Sequence, residues 1–259
     1  TIETACSMWF AVAAVLASVE PRWEPTCLGR GGAFDFIEVG TNDEDTLIQQ
    51  APNCSRGLSV EAVAHYLDRL PVRPNVRKVH AAVVPANYSG ATVDFVGVSP
   101  EDIARHKHEL PSCIGQMGSA GKPTAMMKQA LRQLNLTHLL RVERTPALTF
   151  GALLEREDVV SVEYLKIDVE GAEFDILASL MAACETQPSL WPRRIVYEQK
   201  HHGRATKLHW LGCFTRDGRY TTVSKPKEMQ RHGRTKYNLD SFDMVLDRRD
   251  PVPRSVVPS

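Results

Sequence analysis

Apolar residues recur along this chain in two patterns, short runs rich in β-forming residues and longer stretches with helical spacing. The short runs are bounded by glycine, proline and other turn-forming residues and predict β-strands. These strands are Ala33–Val39, Gly57–Val63, Val76–Val84, Ala91–Val98, Val162–Ile167, Arg194–Glu198, Tyr220–Val223 and Asp243–Asp247. Helices are predicted at Val63–Leu70, Leu148–Leu154 and Glu173–Ala183. Because strands alternate with helices, the pattern predicts an α/β fold with a mostly parallel central sheet flanked by helices.

Two segments do not fit this alternation. Met8–Val19 holds about twelve almost purely apolar residues, fewer than the roughly 20 that a membrane-spanning helix needs. We therefore interpret residues 1–29 as an N-terminal helix or as the remnant of a signal or anchor segment, followed by one domain over 30–250 and a tail over 251–259. Residues 99–136 join a charged stretch to a glycine-bearing one, which predicts a lid or substrate-binding segment over the site.

Charge is balanced over the whole chain but not along it. Lys plus Arg and Asp plus Glu both number 31 in 259 residues, so the net charge indicates no particular partner. Residues 193–236, however, hold twelve Lys/Arg against three Asp/Glu. Such a stretch is either a solvated face or a binding surface for a polyanion such as RNA, and composition alone leaves both interpretations open.

The six cysteines are scattered without a C-x-x-C pair, which excludes an obvious zinc ribbon or thioredoxin motif. Buried free thiols are the expectation at this density, and a Cys6–Cys27 bridge stays open if the protein is exported. Sequons at Asn53, Asn87 and Asn135 shift the prediction from the cytoplasm toward the secretory pathway. Membrane association and oligomeric state stay open.

Acidic residues are concentrated where one predicted strand ends, in the sequence LKIDVEGAEFDIL from Leu165 to Leu177. An unpaired buried carboxylate is costly, so these acids cannot all be packing residues. Glu173 falls in the first turn of the following helix, where an acid complements the helix dipole, and we interpret it as structural. Lys166 is expected to pair with a neighbouring acid across the sheet. Asp168 and Glu170 remain as the predicted edge of a site.

Three acids, Glu38, Glu61 and Asp168, lie near the ends of predicted strands, and such ends converge on one crevice in a doubly wound sheet. A carboxylate after the second strand is suited to the two ribose hydroxyls of a nucleoside. No G-x-G-x-x-G sequence follows the first strand, and the acid-rich loop Thr41–Asp45 would repel a pyrophosphate. S-adenosylmethionine has ribose but no phosphate, and it carries cationic groups. It is therefore the predicted cofactor, rather than NAD.

The motifs FIEVGTND, the acid of SVE, LKIDVEGAEFDIL and IVYEQ occur in this order between Phe34 and Leu246. Together they resemble the FkbM family of S-adenosylmethionine-dependent methyltransferases, and KIDVEGAE is the most specific of them. The resemblance implies the class I methyltransferase Rossmann-like fold. It also implies methylation of hydroxyl oxygens on sugars or secondary metabolites.

The resemblance assigns roles to individual residues. Four of them match the motif that wraps the methionine part of the cofactor: Glu38, Gly40, Thr41 and Asn42. Glu61 matches the ribose-binding acid, and the adjacent Ala62 is included in the cofactor site. Asp168 and Glu170 match the acidic loop that faces the transferred methyl group, with Asp168 also near the cofactor. Glu44 is a departure, because the family often has a second glycine there, and it puts the conformation of this loop in doubt.

A hydroxyl acceptor needs a group that takes its proton during methyl transfer. Three carboxylates are predicted for this catalytic role: Asp168, Glu170 and Glu198. They are preferred to His201 and His202, which we interpret as a solvated loop pair. No metal site is predicted.

These observations predict an O-methyltransferase that uses S-adenosylmethionine and acts on a hydroxyl of a sugar or small metabolite entering beneath residues 99–136. One alternative is a methyltransferase that binds RNA or another polyanion through residues 193–236. A second alternative is a non-catalytic scaffold with the same fold, motivated by the unusual Thr41–Asp45 loop.

Overall fold

The computed structural model describes Cys27 and residues 31–42, 46–111, 114–169, 171–200, 202–223 and 243–249. The predictions for Met8–Val19, for most of residues 1–29 and for the tail at 251–259 lie outside the described residues. Within the described part, no helix is both long enough and apolar enough to cross a membrane.

Eleven strands are present in the described part of the chain: β1 Ala33–Val39, β2 Gly57–Glu61, β3 Val76–His80, β4 Ala82–Val84, β5 Thr92–Val98, β6 Ser119–Ala120, β7 Leu140–Thr149, β8 Ser161–Ile167, β9 Arg194–Glu198, β10 Tyr220–Thr222 and β11 Asp243–Arg248. Seven of them form the central sheet in the order β10-β11-β9-β8-β1-β2-β3. The run β3-β2-β1-β8-β9 is parallel throughout and has the strand order of a doubly wound fold. Among the described strands of this sheet, β11 is antiparallel to both of its neighbours, β9 and β10. The predicted α/β fold with a mostly parallel sheet is confirmed.

The described helices are α1 Leu47–Gln50, α2 Ala64–Arg69, α3 Pro100–Arg105, α4 Ala125–Gln133, α5 Phe150–Arg156, α6 Glu173–Thr186 and α7 Arg204–Thr215. Apolar residues of α5, α6 and α7 pack on one face of the central sheet against side chains such as Ile37, Leu165 and Tyr197. Residues of α1 and α2 pack on the other face, against Phe36 and Tyr164. Because both faces are covered, β2 is buried at every position, including the polar Ser59 and Glu61.

Two sequence predictions fail at the edge of the central sheet. Val76–Val84 is not one strand, because the chain leaves the central sheet after His80 and continues as β4 in a second sheet of order β4-β7-β5-β6. Leu148–Leu154 is not wholly helical, because β7 extends to Thr149 before α5 begins at Phe150. Half of the residues of β7 are exposed and only Thr145 is buried, so the strand lacks the apolar run that identifies a buried strand.

Residues 99–136, predicted as an irregular segment, are largely folded. They contain α3, α4 and a 3₁₀ turn at Ile114–Met117, and their apolar side chains form a separate cluster around Met127 and Leu131. The Tyr66 hydroxyl of α2 donates to the Gly115 carbonyl at 3.1 Å and ties this segment to the central sheet. Its role as a lid stays a prediction.

A disulfide joins Cys27 to Cys54, with their Cα atoms 5.3 Å apart. This pairing replaces the Cys6–Cys27 bridge that the sequence left open, and Cys6 itself lies outside the described residues. The bridge attaches the chain ahead of β1 to the loop ahead of β2. Cys184 is a buried free thiol, as expected from the composition, whereas Cys213 is a free thiol of intermediate exposure.

Candidate active site

The carboxyl ends of β1, β2 and β8 meet at one edge of the central sheet. Gly40 follows β1 with φ +80°, and its N–H donates to the Val60 carbonyl at 2.9 Å. The Asp168 N–H donates to the Val39 carbonyl at 2.9 Å. A Cβ atom on Gly40 would lie 1.8 Å from the Asp168 carbonyl oxygen. Only glycine therefore satisfies both the backbone angle and the close approach of these two loops.

Glu61 is the last residue of β2 and is 6% exposed. Its Oε2 accepts a hydrogen bond from the Asn42 N–H at 2.7 Å, and its Oε1 accepts one from the Val63 N–H at 2.9 Å. Burial raises the pKa of this carboxyl, and the backbone N–H groups of Val63, Asn42 and Ala62 only partly oppose that effect. Glu61 therefore joins the loop after β1 to the loop after β2.

The residues next to Glu61 complete this corner. Asn42 has φ +49°, a left-handed conformation that asparagine tolerates better than most residues. Thr41 is 3% exposed, and its Oγ1 has no hydrogen-bond partner within the described residues. The Ala62 carbonyl accepts from the Thr145 hydroxyl at 3.0 Å and is occupied in holding β7 against β2.

Glu38 is fully buried within β1 rather than open to the crevice. Its Oε2 accepts from the Leu47 N–H at 2.7 Å, and its Oε1 accepts from the Lys166 ammonium at 2.9 Å. Burial alone would lower the pKa of Lys166, but the charges of Glu38 and Asp168 raise it well above the ordinary range. The predicted pairing of Lys166 with an acid across the sheet is confirmed. Asp168 is partly buried beside this ammonium group.

Glu173 and His202 form a second buried pair. Glu173 begins α6 and is fully buried, and its Oε1 accepts from the Gly171 N–H at 3.0 Å and from the Val169 N–H at 3.3 Å. Its Oε2 lies 2.8 Å from Nε2 of His202. Burial would raise the pKa of Glu173, but the hydrogen bonds from His202 and Gly171 outweigh it and leave that pKa lowered. The predicted position of Glu173 in the first helical turn is confirmed.

Glu198 ends β9 and forms an ion pair with Lys200, and both side chains are 8% exposed. Gln199 between them is fully buried. Glu198 is therefore one half of an ion pair and not an isolated carboxylate.

The structure brings Gly40, Thr41, Asn42 and Glu61 together at the ends of β1 and β2 and places Asp168 beside them at the end of β8. Glu198 lies one strand further along, while Glu170 and His201 lie outside the described residues. His202 was predicted as part of a solvated pair, which is wrong, because its ring is largely enclosed and paired with Glu173. Its partner is 29 residues away in sequence, so no local pattern identifies it. Lys200 was also missed, although its position two residues after a strand-end acid was a usable signal.

Within the described residues, no group of three or more His, Cys, Asp or Glu side chains is arranged to hold a metal ion. The site is built from carboxylates, backbone N–H groups and three acid–base pairs. Such a set suits a ligand with hydroxyl groups and positive charge.

Comparison with known proteins agrees with this geometry. No curated protein matches the chain. A solved structure titled METTL16 MTase domain (crystal form 2) aligns over 85% of this chain with 10% identity and a TM-score of 0.34. The chain spans 61% of the length of that structure. The model of the FkbM methyltransferase domain matches residues 38–216, which is more than half of the chain and includes most of the residues described above. The chain therefore belongs to the FkbM methyltransferase family and has the class I methyltransferase Rossmann-like fold.

Proposed function

We propose that this protein binds S-adenosylmethionine and transfers its methyl group to a hydroxyl of a sugar or small metabolite. The observation that carries the proposal is the Glu61 carboxylate, which is held at the end of β2 by N–H groups from two loops. A carboxylate offers about four lone-pair positions, so the hydrogen bonds from Asn42 and Val63 leave room for ribose hydroxyls. Its raised pKa means that the buried charge gains from additional donors.

The neighbouring residues fit the rest of this cofactor. The Thr41 hydroxyl is buried without a partner in the described part of the chain, and a buried polar group of this kind normally has one. A polar atom of the methionine part would supply that partner. The Gly40 and Asn42 backbone shapes the same corner, and Glu38 holds it by bonding to Leu47 N–H. Glu38 is thus proposed to shape the loop without touching the cofactor.

Bound S-adenosylmethionine supplies a methyl group on a cationic sulfonium. The chain's own contribution is to hold the acceptor oxygen in line with that methyl group and to take its proton. Asp168 lies at the strand end nearest the Gly40 loop, where its negative charge favours a cationic ligand. Asp168, Glu170 and Glu198 were predicted as bases, and they remain proposals of this kind.

The described part of the basic stretch supports a small acceptor over a polyanion. Four of its cations are paired with acids, namely Arg193 with Glu163, Arg194 with Asp247, Lys200 with Glu198 and Arg219 with Asp217. Paired cations release fewer counterions when they contact a polyanion, so they contribute less to its binding. The proposal predicts that any RNA binding by this protein is weak and disappears by moderate salt concentration. RNA that binds at physiological salt concentration and is methylated there would favour the alternative, a methyltransferase that acts on a polyanion.

Isothermal titration calorimetry with S-adenosylhomocysteine tests cofactor binding. We expect wild-type protein to bind and Glu61→Ala to lose at least tenfold in affinity, since two ribose hydrogen bonds to a charged group are each worth about 1.5 kcal/mol or more. Glu155→Gln is the matched control, because Glu155 is exposed on α5 away from the strand ends. Folded wild-type protein that produces no heat of binding would refute the proposal, and unchanged affinity in Glu61→Ala would remove Glu61 from the site. Binding without methyl transfer to any acceptor would favour the scaffold alternative.

We also propose that the chain folds in the secretory pathway. The Cys27–Cys54 disulfide is of a kind that persists in oxidising compartments. Among the three sequons, Asn87-Tyr88-Ser89 is exposed at all three residues, whereas Ser55 and Leu136 of the other two are buried. Treatment of the natural protein with a peptide N-glycosidase is expected to release one glycan from Asn87. Natural protein with free Cys27 and Cys54 thiols and no glycan would refute this assignment.

A further inference from the structure

We infer that His202, held by Glu173, is the general base that takes the proton of the acceptor hydroxyl. This inference rests on the proposed methyltransferase function, and it assigns the base to a side chain that the sequence patterns did not favour. Three observations support it: the position of the Glu173–His202 pair in the fold, the hydrogen bonds that orient the imidazole, and the aromatic contacts that enclose it.

The pair lies where an acceptor would have to approach. Glu173 begins the helix that follows β8, and His202 lies four residues after the end of β9. The two strands are parallel neighbours, with Ile167 opposite Tyr197 at their carboxyl ends. Ligands of open α/β sheets bind outside these ends. The Glu173–His202 contact therefore connects the two loops on the β9 side of the crevice, while Glu61 lies on the β2 side.

Hydrogen bonding at Glu173 fixes the state of the imidazole. An ionised carboxylate only accepts, and Glu173 already accepts the N–H groups of Gly171 and Val169 on Oε1. The Nε2 atom at 2.8 Å from Oε2 must therefore carry the proton. In the neutral ring, Nδ1 is then the unprotonated nitrogen, and it has no hydrogen-bond partner within the described residues. A base needs this arrangement, with one nitrogen anchored to a carboxylate and the other available.

Aromatic contacts hold the ring in place. The His202 ring centroid lies 4.1 Å from that of Phe174, and Phe174 in turn stacks on Trp210 at 5.2 Å with an interplanar angle of 7°. The His202 side chain is 15% exposed, so its ring is largely shielded from bulk water but still reachable. Because Phe174 packs against the imidazole ring and Glu173 bonds to its Nε2 atom, the ring loses little conformational freedom when a substrate hydroxyl binds.

The two described carboxylates predicted as bases are less suited to the role. Glu198 is neutralised by Lys200 in a nearly buried ion pair, and Asp168 lies beside the Lys166 ammonium. A neighbouring cation stabilises the ionised form of a carboxylate and makes it a weaker base. His202 has the opposite kind of neighbour, because Glu173 stabilises the imidazolium that forms when the ring takes a proton.

The acceptor oxygen forms a bond to the methyl carbon as the methyl–sulfur bond breaks, and the electron pair of that bond goes to sulfur, which becomes the neutral thioether of S-adenosylhomocysteine. The hydroxyl proton passes to Nδ1 of His202. The resulting imidazolium is paired with the Glu173 carboxylate until it releases the proton to water.

Four variants, compared with wild type, test the assignment by methyl transfer from [methyl-³H]S-adenosylmethionine to methyl glycosides of common hexoses and deoxyhexoses and to a glycan extract of the natural source. General bases contribute about 10²–10⁴-fold to rate, so His202→Ala is expected to lower kcat by at least 100-fold. Added imidazole should restore part of that activity, which a purely structural role would not allow. His202→Gln keeps an N–H donor for Glu173 and should stay folded but inactive. Glu173→Gln should lower kcat while leaving KM nearly unchanged. The control variant His138→Ala, at an exposed histidine, should have the activity of wild type.

The outcomes separate this inference from the proposed function. If wild-type protein does not bind S-adenosylhomocysteine, or binds it but transfers no methyl group to any hydroxyl acceptor, both the proposed hydroxyl chemistry and the assignment of the base are overturned. Wild-type binding and transfer with full activity in His202→Ala or His202→Gln would overturn the base alone. An inactive His202→Ala that binds S-adenosylhomocysteine normally but is not rescued by imidazole would also overturn it.

Discussion

Replacing Gly40 by alanine is expected to destabilise this protein more than the same replacement at a glycine with open space around it. Gly40 has φ +80°, where a side chain costs about 1–2 kcal/mol. In addition, the new Cβ would lie 1.8 Å from the Asp168 carbonyl oxygen, so the loops after β1 and β8 must separate by more than 1 Å. That movement strains the Gly40–Val60 and Asp168–Val39 hydrogen bonds. At about 1 kcal/mol for each bond, the total loss is about 3–4 kcal/mol.

Gly121 provides a matched control. It has the same φ of +80°, but a Cβ placed there would meet no atom within 4 Å. Gly121→Ala therefore has the cost of the backbone angle without the collision, about 1–2 kcal/mol. The difference between the two variants isolates the contact between the β1 and β8 loops.

Urea denaturation measures both free energies of unfolding, and calorimetry with S-adenosylhomocysteine measures the effect on the site. We expect Gly40→Ala to be about 2 kcal/mol less stable than Gly121→Ala and to lose cofactor affinity, because Thr41 and Asn42 move with Gly40. Equal stability of the two variants, within about 0.5 kcal/mol, would refute the claim that close approach and not backbone angle requires glycine at this position.

Three further expectations concern buried polar groups and the disulfide. Tyr197→Phe should leave stability unchanged or raise it by about 1 kcal/mol in urea denaturation, because the Tyr197 hydroxyl is buried with no partner in the described residues; a loss above about 1 kcal/mol would contradict this. Glu173 has a lowered pKa, so its contribution is present above its unfolded pKa and is lost as pH falls through the folded value. The stability difference between wild type and Glu173→Gln should therefore shrink on acidification below about pH 4, and a constant difference would contradict the assignment. Reduction of the Cys27–Cys54 bridge, which spans 27 residues, should lower stability by about 3 kcal/mol, and Cys54→Ser should show the same loss without reductant.

The central sheet was predictable because its strands are buried on both faces. The runs at Ala33–Val39 and Arg194–Glu198 match the observed strands at both ends, since strands covered on both faces are rich in apolar and β-forming residues. The same logic fails for β7, in which Thr145 is the one fully buried residue and most others are exposed. A strand of this kind has no apolar run and no alternation, so only its pairing with β5 and β4 identifies it.

The candidate site was predictable to the extent that its residues lie at strand ends. Glu61 could be selected because an acid at the end of the second strand indicates a ribose-binding position. The Glu173–His202 pair could not, because its two members are brought together by the adjacency of β8 and β9 and not by any spacing in the sequence. The change of sheet after His80 could not be predicted either, because apolar residues continue from Ala81 to Val84 while the chain passes from β3 in the central sheet to β4 in the second sheet.

Glu61 ends β2 and Glu173 begins the helix after β8, and their environments shift the pKa values of these two glutamates in opposite directions. Both are buried, and both accept backbone N–H groups. At Glu61, burial outweighs the backbone N–H groups and the nearby His80, so its pKa is raised. Glu173 is bonded to His202, and its pKa is lowered. Opposed shifts of this kind separate the roles of two carboxylates in one site. A carboxylate whose charge is under-stabilised gains from hydroxyl donors and suits ribose binding, whereas one that is already satisfied suits the orientation of a base.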